Sequence, residues 1–525
     1  MSKDRLGAEK STLLDKHISS FLHIKGFGAE AQHYRKNLCG NKRWNCVIYI
    51  NMEDFGEPLL HYHENCPGCK VDQAKELKMD VTFRNVFSIW IVVLCSSLPI
   101  ASLFPYLYFM VKDFNIAKTE EDISSYAGYV GSAYMLGRAL TSILWGMIAD
   151  RYGRKPVVII GIISVVIFNT LFGLCTSFWM AVMMRFLLGG LNGLLGPMKA
   201  YSSEIFREEY QALGQSTVAA AWGVGLVFGP ALGGYFAQPV QKYPNIFPKD
   251  SFWDKFPYFL PSFIVSAMAL AVAISCIWLP ETFHNHKVST KNIEALENGT
   301  NETDKNNLIE KDESLLKNWP LMSSIIVYCV FAIHDISFAE IFSLWTVSPR
   351  RLGGLNFGTN DVGNVLAVSG MAIILFQLGL YQSVQNICGP IVLGRIAAVL
   401  SIPILQSFPF MTMLSGFTLY ISIYSATILK YLFIEITSTG LFILQNKAVD
   451  QHQRGVANGI CITAMSACKV IGPAAGGAIL TWSQKRMDVS FLPGPHLVFF
   501  VLNVIEGLAL LLTFKPFLTE RKTPS

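Results

Sequence analysis

His334, Asp335 and Glu340 lie within one apolar stretch, in the order His-Asp-Ile-Ser-Phe-Ala-Glu. Ionisable side chains in hydrocarbon are costly unless paired or wet, and two carboxylates beside an imidazole can carry a proton. At about 100° per residue, Asp335 and Glu340 stand roughly 140° apart on a helix, so they need not face the same surroundings. One of them, preferably Glu340, is expected to exchange a proton, because burial favours the neutral carboxyl. The competing use is a structural ion pair with Arg395 or Lys469. Cations are stranded in the same way. Arg138, Arg185 and Lys199 fall in or beside apolar runs, where they can hold the carboxylates of a small solute. Lys199 can instead snorkel to the membrane surface. Tyr134 and Trp222 can line the same cavity or face lipid.

A second group has metal-ligand chemistry. Cys66-Pro67-Gly68-Cys69 brings two soft ligands within reach of one ion, with His61 and His63 just ahead. His284 and His286, two apart, can supply imidazoles. Zn²⁺ suits such a set, so a cytosolic zinc contact through Cys66, Cys69, His284 and His286 is one expectation. A redox pair, or two unconnected surface motifs, are the others. No further cofactor is expected.

The elements that must position these groups are long apolar runs. The chain has 525 residues, 52% apolar and 15% charged, with mean hydropathy +0.39. A soluble protein averages about 25% charged residues, so the expected medium is lipid. A net charge of +5 gives no case for nucleic acid. Eleven cysteines, several inside apolar runs, do not form a secreted disulfide framework. Runs at 87–109, 126–149, 157–176, 178–195, 214–237 and 257–279 make six spans. A second set follows at 320–345, 364–383, 390–408, within 413–449, 456–482 and 496–514. The stretch 413–449 is read as one long span with an irregular lead-in, two spans being the alternative.

The tight turn between the second and third runs carries Asp150, Arg151, Arg154 and Lys155, and positive residues beside short loops favour the cytosol. The expected organisation is therefore a cytosolic tail (1–82), a six-helix bundle (83–280), a cytosolic linker (281–319), a second bundle (320–518) and a cytosolic tail (519–525). Gly229-Pro230-Ala231-Leu232-Gly233-Gly234 recurs as Gly472-Pro473-Ala474-Ala475-Gly476-Gly477, and Gly153 before Pro156 is echoed by Gly389-Pro390. Duplicated bundles of this kind build many secondary transporters.

These strings resemble the major facilitator superfamily. Gly146, Asp150, Arg151, Gly153, Arg154 and Lys155 match its loop motif, Arg185 and Gly189 its fourth-span motif. Gly225, Gly229, Pro230, Gly233 and Gly234 match the fifth-span motif of its antiporters. Cys66-Pro67-Gly68-Cys69, with Pro280-Glu281-Thr282-Phe283-His284-Asn285-His286, is similar to the plant zinc-induced facilitator-like family. The resemblance implies an all-α membrane fold of about 12 transmembrane helices in two pseudo-symmetric bundles. It also implies proton-coupled antiport of a metal chelator such as nicotianamine or a phytosiderophore, in the vacuolar or plasma membrane, linked to zinc and iron homeostasis. The partners it implies are the lipid bilayer, the solute and protons, with the monomer as working unit and no enzyme activity. Potassium or auxin movement, or a transport-inactive sensor of cytosolic zinc, are the alternatives.

On that resemblance Asp150 is expected to accept N–H bonds from a neighbouring helix start and to pair with Arg151 or Arg154, forming a conformational latch. The fifth-span glycines are expected either to rock at the bundle interface or to pack statically, Pro230 allowing a bend. The turn 382–389 lacks the acidic–basic pair of its counterpart.

Overall fold

The computed structural model describes residues 66–77, 83–207, 210–283, 315–449 and 454–519. Eleven helices there are long and apolar enough to cross a bilayer. They are Phe83–Ala101, Arg154–Gly173, Phe178–Ile205, Ser216–Phe236, Phe259–Trp278, Trp319–Val347, Thr359–Gln377, Pro390–Met413, Gly416–Lys447, Ala457–Gln484 and Pro495–Leu512. Ile123–Tyr152, 30 residues long, is a further helix of spanning length, less apolar because Gly, Ser and Tyr line its first half and charges end it. Taken in chain order these are the first to twelfth spans, with Ile123–Tyr152 second. Their outer faces are apolar too: on the third span Ile160, Ile163 and Ile167 are exposed while Val158, Ile162 and Val165 are buried. A helix apolar all round belongs in lipid.

The stretch after residue 408 is one helix of 32 residues, Gly416–Lys447, with a 3₁₀ lead-in at Phe408–Met413. Two runs read as continuous are broken. The first helix stops at Ala101, and a short helix resumes at Leu107–Asp113. The fourth span extends past residue 195 to Ile205 but interrupts at Asn192, the C-cap of Phe178–Leu191. Helix ends leave carbonyls without following N–H groups, and here side chains take them up. Arg185 donates through Nη1 to the Pro99 carbonyl (3.0 Å). Thr141 Oγ1 and Trp145 Nε1 both donate to the Gly190 carbonyl (2.7 Å each).

The repeated Gly-Pro strings explain the pseudo-symmetry. In the fifth span Gly225, Gly229 and Gly233 face the first span of the same bundle. A methyl there would meet Ser97 Oγ, Ala101 Cβ or the Ser102 carbonyl within 2.5 Å. Gly234 instead faces the eighth span, where a methyl would lie 2.7 Å from the Thr359 carbonyl oxygen, and Gly363 sits against the Pro230 carbonyl (2.8 Å). The copy does the same with the second span: a methyl at Gly477 would run into the Ser124 carbonyl oxygen and one at Gly128 into that of Pro473. Static packing and an interface role thus fall on different glycines of one motif.

This seam closes one end of the molecule. Ser132 Oγ donates to the Val470 carbonyl and accepts from Ala474 N (2.8 Å each), and Ser125 N donates to Thr481 Oγ1 (3.0 Å). Ion pairs Arg351–Glu120 and Lys485–Asp122 cap it. Towards the other end the second and eleventh spans do not press on a neighbour through glycine. A methyl at Gly146 or Gly459 would meet open space, and Leu140, Ile143, Leu144 and Met147 are exposed. Lys199 still reaches across there, its Nζ 5.3 Å from the Phe442 ring.

Candidate functional site

Both helix breaks border one polar centre in the first bundle. Arg185 is 2% exposed, lies over the rings of Tyr134 (4.9 Å) and Phe172 (5.4 Å), and its Nε is buried without a hydrogen-bond partner. Asn192 Nδ2 donates to the Tyr134 hydroxyl (3.2 Å). Tyr134 and Arg185, paired on paper only by residue type, are therefore direct neighbours. Trp222 packs against the apolar core of that bundle instead. Arg138 and Lys199, both half-buried, lie in one another's field and form a second cationic group, with Lys469 of the eleventh span beside Arg138.

Glu340 meets the first bundle at the seam. Its side chain is 2% exposed. A methyl at Gly131 of the second span would lie 3.2 Å from its Oε2, and its Oε1 is buried with no hydrogen-bond partner. Arg185 is the charge it faces. Asp335 points elsewhere, as the helical angle requires. His334 Nδ1 is 3.2 Å from Asp335 Oδ1 and 3.0 Å from Glu506 Oε2 on the twelfth span. Lys430 Nζ is 3.4 Å from Glu506 Oε2 and donates to Ser401 Oγ (2.5 Å). Arg395 is no partner of either acid. It donates to Thr513 and stacks on Phe514 (4.2 Å). Glu506 was not singled out from the sequence, although an acid inside the apolar run 496–514 was the signal available.

One of the contacts expected at the loop motif is present. Arg154 pairs with Asp150 (2.8 Å) and with Glu204 at the end of the fourth span (2.8 Å). Asp150, however, is largely exposed and does not cap the third span. Glu281 does: its carboxylate accepts from Arg154 N (3.0 Å), Lys155 N (2.9 Å), Thr282 N (2.9 Å) and Phe283 N (3.1 Å). Gly153, at φ 105°, is where glycine is required, because a methyl there would lie 2.5 Å from Glu281 Oε2. Arg151 lies 5.6 Å from the Tyr152 ring, Lys155 Nζ donates to the Ile277 carbonyl (2.7 Å), and Gly146 faces open space. Gly389, at φ 74°, repeats the left-handed turn in the second half without the charges.

Cys66 and Cys69 are buried at the start of the helix Pro67–Leu77. Gly68 N donates to the Phe283 carbonyl (3.1 Å) and Arg207 Nε to the Lys75 carbonyl (2.6 Å), which docks this helix on the segments after the sixth and fourth spans. His61, His63, His284 and His286 lie outside the described residues. Among the described residues there is no group of three His, Cys, Asp or Glu that could hold a metal.

Outside the spans, hydrogen bonds from Lys112 and Arg351 hold the Glu120 carboxyl below its ordinary range. Lys485 does the same for Asp122. Burial lowers the Lys242 ammonium to about 8, where it bridges the Gly234 carbonyl and Thr359 Oγ1 across the seam.

Membrane-crossing helices in two related halves, sealed at one end around a polar centre, define a secondary-transporter architecture. The Major Facilitator Superfamily model matches residues 89–473. Zinc induced facilitator-like 1 of Arabidopsis thaliana is 54% identical over 473 residues, covering 89% of this chain and 99% of that protein. Zinc induced facilitator 1 of the same plant is 52% identical over 483 residues, covering 90% and 99%. A D-xylose–proton symporter of known structure shares the fold, with a TM-score of 0.62 at 13% identity, covering 83% of this chain and 97% of that one. The chain belongs to the major facilitator superfamily and, within it, to the zinc-induced facilitator-like proteins. It is a multi-pass membrane protein of a transporter family.

Proposed function

We infer that this protein is a proton-coupled antiporter that exports or sequesters a small, carboxylate-bearing organic solute. A metal chelator such as nicotianamine or a phytosiderophore is the preferred substrate, in keeping with the names of its zinc-induced facilitator relatives. The observation that carries the reading is Glu340, a carboxyl at the seam with one oxygen unpartnered and Arg185 facing it. Antiport needs proton and solute to exclude one another. Glu340 meets that need by accepting either a proton or an ammonium group of the solute, while Arg138 and Lys199 hold the solute's carboxylates. The positively charged DRYGRK end faces the cytosol, so the sealed end faces the vacuolar lumen or the cell exterior.

The test is uptake of labelled nicotianamine into proteoliposomes with an imposed proton gradient. Wild type should accumulate it when the lumen is acid. Glu340→Gln should lose gradient-driven accumulation while keeping solute–solute exchange, which needs no proton. Full gradient-driven accumulation by Glu340→Gln sinks the coupling role, and zinc binding without any flux by wild type would favour a sensor.

A further inference from the structure

A second ionic cluster lies inside the C-terminal bundle, away from Glu340. His334 and Asp335 (seventh span), Ser401 (ninth), Lys430 (tenth) and Glu506 (twelfth) meet there through the distances given above. Side-chain exposure is 0% for His334, 1% for Lys430 and 4% for Glu506, but 18% for Asp335. Asp335 is therefore the least enclosed member of the cluster.

The charges around Asp335 do not balance. Lys430 and Lys469 act on it as cations, and Glu435 of the tenth span lies in its field as an anion, with Thr439 Oγ1 donating to Glu435 Oε1 (3.1 Å). The phenols of Tyr328 and Tyr431 also face it. Arg138 stands beyond Lys469 on the opposite bundle. Within the second half two lysines thus confront three carboxylates, Asp335, Glu435 and Glu506, leaving one negative charge uncompensated. A buried charge without a partner is strongly disfavoured, so the cluster takes up one proton. The hydrogen bonds indicate where. Lys430 Nζ donates to Glu506 Oε2 (3.4 Å), and His334 Nδ1 lies 3.0 Å from the same oxygen, whereas no lysine comes within ion-pair reach of Asp335 among the described residues. Glu506 thus has a cation in contact and Glu435 a hydroxyl donor, and Asp335 is left as the group that takes the proton.

We propose that Asp335 is a second proton-exchange site and that Glu506 is its positioning residue, setting Asp335's proton affinity by holding Lys430 and lying against His334 Nδ1. The inference rests on the proton-coupled reading for its purpose, but the proton binding can be measured without transport.

The experiment is a pH titration of the carboxylic-acid C=O infrared band of the full-length protein in lipid nanodiscs. It is run in the Glu340→Gln background to remove the first site, and Asp335→Asn identifies the band by its loss. Glu506→Gln leaves Lys430 without its counter-charge, which favours ionised Asp335. The midpoint should fall by roughly one to three pH units. Lys430→Met removes a cation and should raise the midpoint by a similar amount. Lys430→Met/Glu506→Gln restores the balance and should return it towards that of the background. A merely structural role would give no shift, or shifts of one sign. The proposal is overturned if Asp335→Asn removes no titrating band, or if the two single variants move the midpoint in the same direction. Should either single variant fail to fold, the double variant decides: a midpoint displaced by a full unit or more from that of the background refutes the balance. Absence of gradient-driven flux in wild type would instead remove the transport reading and leave this titration standing.

Discussion

Gly128→Ala should open the sealed end. The added methyl would stand 2.4 Å from the Pro473 carbonyl oxygen and 3.3 Å from Ala474 Cα, where ordinary contact begins at 3.4 Å. Both neighbours are backbone, so no rotamer change relieves the clash and the second and eleventh spans must separate by roughly 1 Å, a gap that overpacked sites resolve at about 1–3 kcal/mol. That cost falls on the sealed state alone, because the helices part when this end opens. Replacing Gly in a helix also adds about 0.4–1 kcal/mol of stability, but to both states alike, so it cancels. The equilibrium should shift roughly 5- to 150-fold towards opening at the Asp122–Lys485 end. Spin labels on Lys118→Cys and Val489→Cys, with reactive native cysteines replaced, report the distance across that end. Wild type should give one short distance, and Gly128→Ala a growing population of a longer one. Gly459→Ala, where the methyl meets open space, serves as control and should match wild type. Identical distance distributions for Gly128→Ala and Gly459→Ala would refute the seam argument.

Gly363→Ala should mimic Gly128→Ala on the symmetry-related side, since its methyl would lie 2.8 Å from the Pro230 carbonyl oxygen; the same label pair checks it. Glu281→Ala removes four accepted N–H bonds at the start of the third span and after the sixth, and should destabilise the fold by about 2 kcal/mol, read as a lower thermal unfolding midpoint in nanodiscs. For the outer pairs, lowered carboxyl values mean that their contribution to the sealed state is complete above the ordinary carboxylate range near 4 and is lost as pH falls through the lowered values. In the Glu340→Gln background, which takes that carboxyl out of the titration, the label distance should therefore stay constant from about pH 7.5 to pH 5 and lengthen only below about 4. Because these side chains are partly exposed, the effect should be small, at most about 1 kcal/mol, and weakened by salt.

The sequence disclosed most where physics acts along the chain. Apolar runs, the DRYGRK turn and the 140° offset between Asp335 and Glu340 are local facts, and the two acids do face different partners. What it hid depends on residues far apart. Glu281 caps a helix start 127 positions away in the chain, so the carboxylate nearest in sequence, Asp150, was the natural but mistaken choice. Glu506 meets His334 across the bundle, and only packing puts them together. The Gly-Pro repeat was visible as a string, yet its division into glycines that face their own bundle and glycines that face the other needs the three-dimensional contacts. Of the expected zinc ligands, Cys66 and Cys69 are placed, while His284 and His286 lie outside the described residues.

The seam and the Glu340 carboxyl meet at one residue. Gly131 lies in the same glycine row as Gly128, and a methyl there would sit 3.1 Å from Pro473 Cβ and 3.2 Å from Glu340 Oε2. The close approach that seals the end also covers the carboxyl. An ionised Glu340 in that position would be a buried charge with one oxygen unpartnered, so closing the seam and protonating Glu340 favour each other. Separation of the second span from the eleventh would admit water to the carboxyl and release that constraint. In this geometry the seam and the carboxyl proposed to exchange the proton share a contact, and the proposed coupling requires no long-range pathway between them.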